Sequence, residues 1–254
     1  MGQGYVIEVE NLAHSFGNKS VLGGVSFKVG RGESYVVIGG SGSGKSVLIR
    51  CILGLIKPKS GAIKINGRDT STLSRKEMYD AVLKCGVLYQ SGALFDSLNV
   101  IDNVSFGLVY GYGMSKKEAY EIAIKNLEAV DLGPEISKTF PAELSGGMKK
   151  RVALARALAT KPDIIFFDEP TTGLDPITTG VIDNLIVRCT KEMGISALSI
   201  THDVASMKRI GDTIGLIHEG KIIWEGSNED LSATDDPYVR QFIDGLPTGP
   251  FTKS

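Results

Sequence analysis

The stretch "SYVVIGGSGSGKSVLIR", residues 34–50, decides the fold of this chain. An apolar run, a turn of glycine and serine and a second apolar run at helical spacing read as strand, loop and helix. Inside it, GGSGSGKS at 39–46 has the spacing of a phosphate-binding loop: Gly, four residues, Gly, Lys, Ser. The same letters could form a flexible turn, but a strand before and a helix after are the context a phosphate loop requires. Gly39, Gly40, Ser41, Gly42, Ser43 and Gly44 let consecutive amides face an anion, and the helix opening at Lys45, Ser46 and Val47 adds its positive end. Lys45 is long enough for the outer phosphates of a nucleotide, and the Ser46 hydroxyl suits Mg²⁺.

Upstream, "YVIEVENL" and "VSFKVGRGE" alternate apolar and polar positions, so residues 5–38 are expected to form short strands. Downstream, "GKSVLIRCILGLIKPKSG" reads as a helix closed by Pro58 and Gly61, followed by a strand "AIKI" and a turn at Asn66 and Gly67. From about 91 to 161 the pattern is helical. Ser115 and Glu118 have capping-box spacing, Ala119, Ile122 and Ala123 share a face, and "GGMKKRVALARALATK" stops at Pro162. Then "DIIFFDE" and "ALSITHD" read as buried parallel strands around a helix, "DTIGLIHEGKIIWEG" as a hairpin turning at Glu219 and Gly220, and "DDPYVRQFIDG" as a last short helix. The expected fold class is α/β, with a helical insertion between its halves.

The 254 residues carry 28 Lys plus Arg against 29 Asp plus Glu, without a long basic run, which removes the usual footprint of nucleic-acid binding. Cys51, Cys85 and Cys189 are far apart and fit neither a disulfide framework nor a zinc site, so they are expected to be buried thiols in a reducing compartment. The amino terminus lacks the features of a signal peptide, and no window has the roughly 18 apolar residues of a membrane span. Any membrane role must come through a partner.

In "IIFFDEP", four apolar positions lead into Asp168 and Glu169 at the carboxyl end of an expected buried strand, where ligands of open parallel sheets sit. Asp168 can join a Mg²⁺ shell and Glu169 can polarise an attacking water. The next strand ends in "ITHD", which puts His202 at a strand end, where it could contact a γ-phosphate, hold Glu169 or be an ordinary surface residue. Gln90, after "GVLY", can touch Mg²⁺ and water but is equally at home on a surface. "LSGGM" at 144–148 carries Ser145 in a capping position and two glycines, Gly146 and Gly147, in front of a long helix that they weaken.

Taken in order, these motifs resemble the ATP-binding cassette subunits of transporters, from residue 5 to about 227. The resemblance implies a P-loop NTPase core of RecA type, an antiparallel β subdomain, the helical insertion at about 91–161 and a short C-terminal extension over 228–254. It makes Gln90 the Q-loop, LSGGM the signature, Asp168 and Glu169 the Walker B pair, GLDP at 173–176 the D-loop and His202 the switch histidine. Phe16 falls where the family stacks an aromatic on adenine; an ordinary core residue is the other reading. ATP and Mg²⁺ are the implied ligands. The signature would close over ATP held by a second copy of the chain, with Asp175 at the contact between them.

Met148, "YQSGALFDSLNVIDNV" and the ending "DPYVRQFIDGLPTGPF" look like the ATPases of bacterial lipid-transport systems of the Mla or MCE-associated type. That resemblance implies a transmembrane permease and an MCE-type lipid-binding subunit as partners, phospholipid as cargo and a peripheral place on the cytoplasmic face of the inner membrane. Ala93, Leu94 and Phe95 would then face a permease coupling helix, unless they pack in the core. The tail beyond Ser227 is expected to pack on a partner subunit. A cassette for another solute is the alternative. DNA-repair cassettes need a long coiled coil where only 99 residues separate Lys45 from Ser145, ribosome-acting ones usually carry two cassettes, and the presence of Glu169 and His202 argues against a non-hydrolysing nucleotide binder.

Overall fold

Two twelve-residue strands open the described part of the chain, residues 4–252 of the computed structural model. β1 (Tyr5–Phe16) and β2 (Lys19–Gly30) pair antiparallel, with Tyr5 opposite Gly30 and Phe16 opposite Lys19. They are longer than alternation alone predicts, because register shifts around Asn11, which has a φ of 48°, carry β1 past its polar stretch. β3 (Ser34–Ile38) is buried throughout and leads through the glycine loop into α1 (Lys45–Ile52). That helix stops well before Pro58, because Gly54 turns left-handed at a φ of 69°. β4 (Ser60–Ile65) pairs antiparallel with β1, and the short β5 (Arg68–Asp69) completes a sheet of order β2-β1-β4-β5.

Residues 73–197 form a compact unit of their own, and residues 4–72 with 198–252 form the other. The unit 73–197 begins with α2 (Arg75–Leu83), which the sequence reading did not anticipate although Ser74 and Glu77 complete a capping box. β6 (Cys85–Leu88) runs parallel to β7 (Ile164–Asp168), Cys85 opposite Ile164 and Leu88 opposite Phe167. Between these strands come α3 (Val100–Phe106), which continues into a π-helical turn at Gly107–Gly111, then α4 (Lys116–Ala129) and α5 (Gly146–Ala159). α4 buries Ala119, Ala123 and Leu127 while Ile122 is half-buried, so its apolar stripe is narrower than expected. α6 (Pro176–Lys191), capped by Asp175, follows β7.

β8 (Ser196–Thr201) is wholly buried, and α7 (Val204–Ile210) leads to the hairpin of β9 (Thr213–His218) and β10 (Lys221–Gly226), which turns at Glu219 and Gly220. β9 lies parallel to β3, in the order β10-β9-β3-β8. β3 and β8 are buried at every position, Ser34, Ser196 and Ser199 included, because cover on both faces removes the alternation of a half-exposed strand.

The chain ends in α8 (Asn228–Ala233) and α9 (Pro237–Ile243). Leu231 and Val239 are buried here, and the Tyr238 and Phe251 rings lie 5.3 and 4.7 Å from His218. These half-buried rings therefore lie against the chain's own hairpin. Burial of the segment's apolar positions makes residues 228–252 part of a compact unit rather than an appendage.

Candidate functional site

In the unit 4–72 with 198–252, the loop between β3 and α1 has the geometry of an anion cradle. Gly44 caps α1 at a φ of 102°, and a β-carbon there would come within 2.8 Å of the Val21 carbonyl oxygen, so glycine is required by both conformation and space. The Lys45 Nζ donates to the Gly39 and Gly40 carbonyls at 2.8 and 3.0 Å, which folds the ammonium over the loop. Lys45 is buried, Ser46 and Val47 are half-buried, and Gly40, Ser41 and Gly42 are exposed. Gly40 to Ser43 line one wall of a cavity of about 610 Å³ whose opposite wall is His218, Glu219 and the C-terminal segment, including Gln241 and Phe251. Phe16 ends β1 with 53% of its surface exposed, its ring edge-on to His14 at 4.8 Å. That exposure excludes the core-residue reading. His202 follows β8 directly and is exposed.

In the unit 73–197, β7 delivers Asp168 and Glu169 at its carboxyl end, as its apolar run requires. Asp168 is buried and Glu169 half-buried. Glu169 has a φ of 49°, an uncommon backbone state for a residue with a side chain, and the structure holds it from two directions. Thr172 Oγ1 donates to Glu169 Oε2 at 3.0 Å, and the Lys150 Nζ donates to the Glu169 carbonyl at 3.5 Å. The same Nζ donates to the carbonyl of Gln90, whose side chain is on the surface just past β6. Burial pushes the Lys150 ammonium down to about 8, while Asp168 and Glu169 pull the other way. Neither Lys150 nor Thr172 was expected from the sequence. The available signal for Lys150 was a lysine on an apolar stripe, since Ala153, Leu154 and Ala157 share its face and are buried.

The signature resolves into three roles. Ser145 caps α5, accepting from the Met148 amide at 3.3 Å. Gly147 is buried against α6, where a β-carbon would stand 2.5 Å from Thr178 Cγ2. Gly146 is exposed, and a β-carbon there would have only Leu174 Cδ2 at 3.5 Å, an ordinary contact. Only Gly147 therefore has a packing reason within the chain, and Gly146 presents bare backbone outward beside the Ser145 hydroxyl. Asp175 caps α6 through the Ile177 and Thr178 amides, both at 3.0 Å, and accepts from Thr178 Oγ1 at 2.5 Å. The Thr178 hydroxyl and amide hold its carboxyl below the usual range.

After Gln90, Ala93 and Phe95 are exposed and Leu94 is half-buried, so this segment is not core. The Phe95 ring stacks obliquely on Phe106 at 4.5 Å, and Phe106 on the exposed Tyr110 at 4.7 Å.

These features fit a nucleotide triphosphate with Mg²⁺. The loop offers backbone amides and a lysine, with Ser46 a hard oxygen donor at the start of α1; in the unit 73–197, Asp168 is another hard oxygen donor. Among the described residues no group of three or more His, Cys, Asp or Glu forms a metal cage, and Mg²⁺ bound with phosphates needs only one or two protein ligands. No described helix is long and apolar enough to cross a membrane.

A glycine loop between a buried strand and a helix, with a strand-end Asp168-Glu169 pair and a serine-capped glycine pair elsewhere in the chain, is the motif set of an ATP-hydrolysing cassette. The family model described as ABC transporter matches residues 22–172, and the chain belongs to that family as an ABC ATPase. It is 38% identical over 245 residues to the "intermembrane phospholipid transport system ATP-binding protein MlaF" of Escherichia coli K12, covering 96% of this chain and 91% of the relative. It is 39% identical over 254 residues to the "probable ribonucleotide transport ATP-binding protein mkl" of Mycobacterium leprae, covering 100% of this chain and 73% of that one. Among solved structures, a dimer of the ATP-binding cassette MJ0796 bound to ADP and Pi aligns with a TM-score of 0.79 at 31% identity, covering 87% of this chain and 98% of that one.

Proposed function

We propose that this ABC ATPase powers phospholipid transport between two membranes, working as a pair of identical cassettes beneath a permease that is joined to an MCE-type lipid-binding subunit. The observation that carries the dimer is the split signature: Gly146 faces outward with no packing reason of its own, beside the exposed Ser145 that caps α5, as a surface does that closes on another molecule's nucleotide. The related MJ0796 cassette is itself a dimer. The lipid cargo rests on the likeness to MlaF along 91% of that protein. The name of the mycobacterial relative favours a ribonucleotide instead, and that is the second reading. Exposed Phe95 and Tyr110, joined through the half-buried Phe106, support a permease contact, because aromatic surface of this kind is costly to leave in water. With that contact, the chain works peripherally at the cytoplasmic face of the inner membrane.

In the proposed reaction the loop amides and Lys45 bind and orient the triphosphate, and Phe16 stacks on the base. Ser46, Asp168 and Gln90 would hold Mg²⁺, which would neutralise charge on the phosphate oxygens when bound. Glu169 takes a proton from water as it attacks the γ-phosphorus in line, the bond to the β–γ bridging oxygen breaks and ADP leaves, and His202 donates to the γ-phosphate. Ser145, Gly146 and Gly147 of the second copy complete the shell, with Asp175 at the junction of the two copies. The cargo is tested by purifying the membrane complex and identifying its subunits and bound small molecules. An MCE-type subunit with co-purified phospholipid is expected; a complex with neither, whose ATPase rate responds to ribonucleotides, establishes the second reading.

A further inference from the structure

A lysine on the buried stripe of a helix needs a reason, because a buried ammonium without partners is strongly unfavourable. Lys150 is only 4% exposed, and its partners are two main-chain carbonyls at functional positions, those of Gln90 and Glu169. An apolar residue or glutamine would pack there more cheaply if packing were the only need. Gln90 and Glu169 each follow a strand, β6 and β7, and neither carbonyl belongs to those strands' paired registers. Glu169 also holds a backbone state that its surroundings must enforce. Thr172 fixes its carboxylate and Lys150 its peptide plane. Lys150 lies four residues beyond Gly146 on the same helix, about 6 Å along the axis and on the same face. One rigid turn thus joins the outward-facing signature backbone to the main chain of the residue that activates water.

We propose that Lys150 is a positioning residue for ATP hydrolysis: from the signature helix it sets the main chain of Gln90 and Glu169, and so aims the Glu169 carboxylate at the attacking water. This rests on the reading of Glu169 as the general base. Lys150 does not reach the nucleotide in this role, so removing it should slow turnover while leaving ATP binding intact.

The test uses the full-length chain in its membrane complex, with wild type, K150M, K150R and E169Q side by side, measuring ATP affinity, KM, kcat and thermal unfolding. Loss of a charge-assisted hydrogen bond at the base predicts that K150M loses about 10- to 100-fold in kcat, while its ATP Kd and KM stay within about threefold. K150R, which keeps charge and donors, should recover most of kcat, a rescue that filling space alone does not produce. A K150M kcat within about twofold of wild type, or a Kd that rises as much as kcat falls, overturns the proposal. If K150M does not fold, K150Q against K150R decides: equal kcat in both, at the wild-type level, also overturns it. Wild-type turnover by E169Q would overturn the underlying reading of the base. An inactive E169Q beside a fully active K150M would remove Lys150 alone.

Discussion

Replacing Gly147 with alanine places a methyl group 2.5 Å from Thr178 Cγ2, where ordinary contacts begin near 3.4 Å. Thr178 cannot turn aside freely. It is β-branched within a helix, and rotating Cγ2 away sacrifices the 2.5 Å bond from its hydroxyl to Asp175. Overpacking of this kind costs about 1–3 kcal/mol, and the better helix propensity of alanine returns up to about 1 kcal/mol, less at a helix end. The net expectation is a loss of about 0.5–2 kcal/mol, or a fall of several degrees in melting temperature. Thr178→Ser deletes the clashing methyl and keeps the hydroxyl, so it should restore most of the stability that Gly147→Ala loses. Gly146→Ala, with its nearest neighbour at 3.5 Å, should leave folding unchanged yet depress ATPase activity, because in the proposed dimer its methyl would enter the face that closes on the second copy. Urea titrations of the four variants, read as a double-mutant cycle with Gly146→Ala as control, measure this. A Gly147→Ala variant as stable as wild type, or a Thr178→Ser background that gives no relief, would refute the packing argument.

Glu169→Gln should bind ATP, accumulate a closed dimer and lose about 10²- to 10⁴-fold in turnover, as expected for a missing general base; size-exclusion chromatography with ATP and a phosphate-release assay read both effects. Phe16→Ala should weaken ATP binding about 2- to 10-fold, equivalent to about 0.5–1.5 kcal/mol of stacking, while Phe16→Tyr should not; an unchanged Kd for Phe16→Ala removes the adenine contact. Burial pushes the Cys85 and Cys189 thiols up to about 12 and Cys51 up to about 11 from an ordinary 9.0. Between pH 9 and those values the folded chain keeps protons that the unfolded chain releases, so stability should be intact below pH 9 and fall as pH rises beyond it. The urea midpoint at pH 8 and pH 10 checks the sign. Cys85 is half-buried, whereas rapid iodoacetamide labelling of Cys51 or Cys189 in the native chain at pH 8 would contradict their burial.

Much of the fold could be read from local pattern. The phosphate loop, the apolar run into Asp168, the hairpin at Glu219 and Gly220 and the Asp236-Pro237 start of α9 are each specified by residues adjacent in the chain. The structure departs from the sequence reading where hydrophobic pattern is a weak guide: Gly54 ends α1 early, and α2 escapes the pattern because it buries no residue.

The sequence by itself determined the family and the chemistry, because nucleotide binding needs particular residue types at short, fixed spacings along strand ends and helix starts. Only the tertiary structure decided what each of those residues is for. It divided the two signature glycines, assigning Gly147 to Thr178 and leaving Gly146 exposed, because close approach between helices is a property of their packing and leaves no local trace. It also disclosed Lys150 beneath Gln90 and Glu169, since a contact spanning 60 residues of chain to one and 19 to the other has no sequence spacing by which to be recognised.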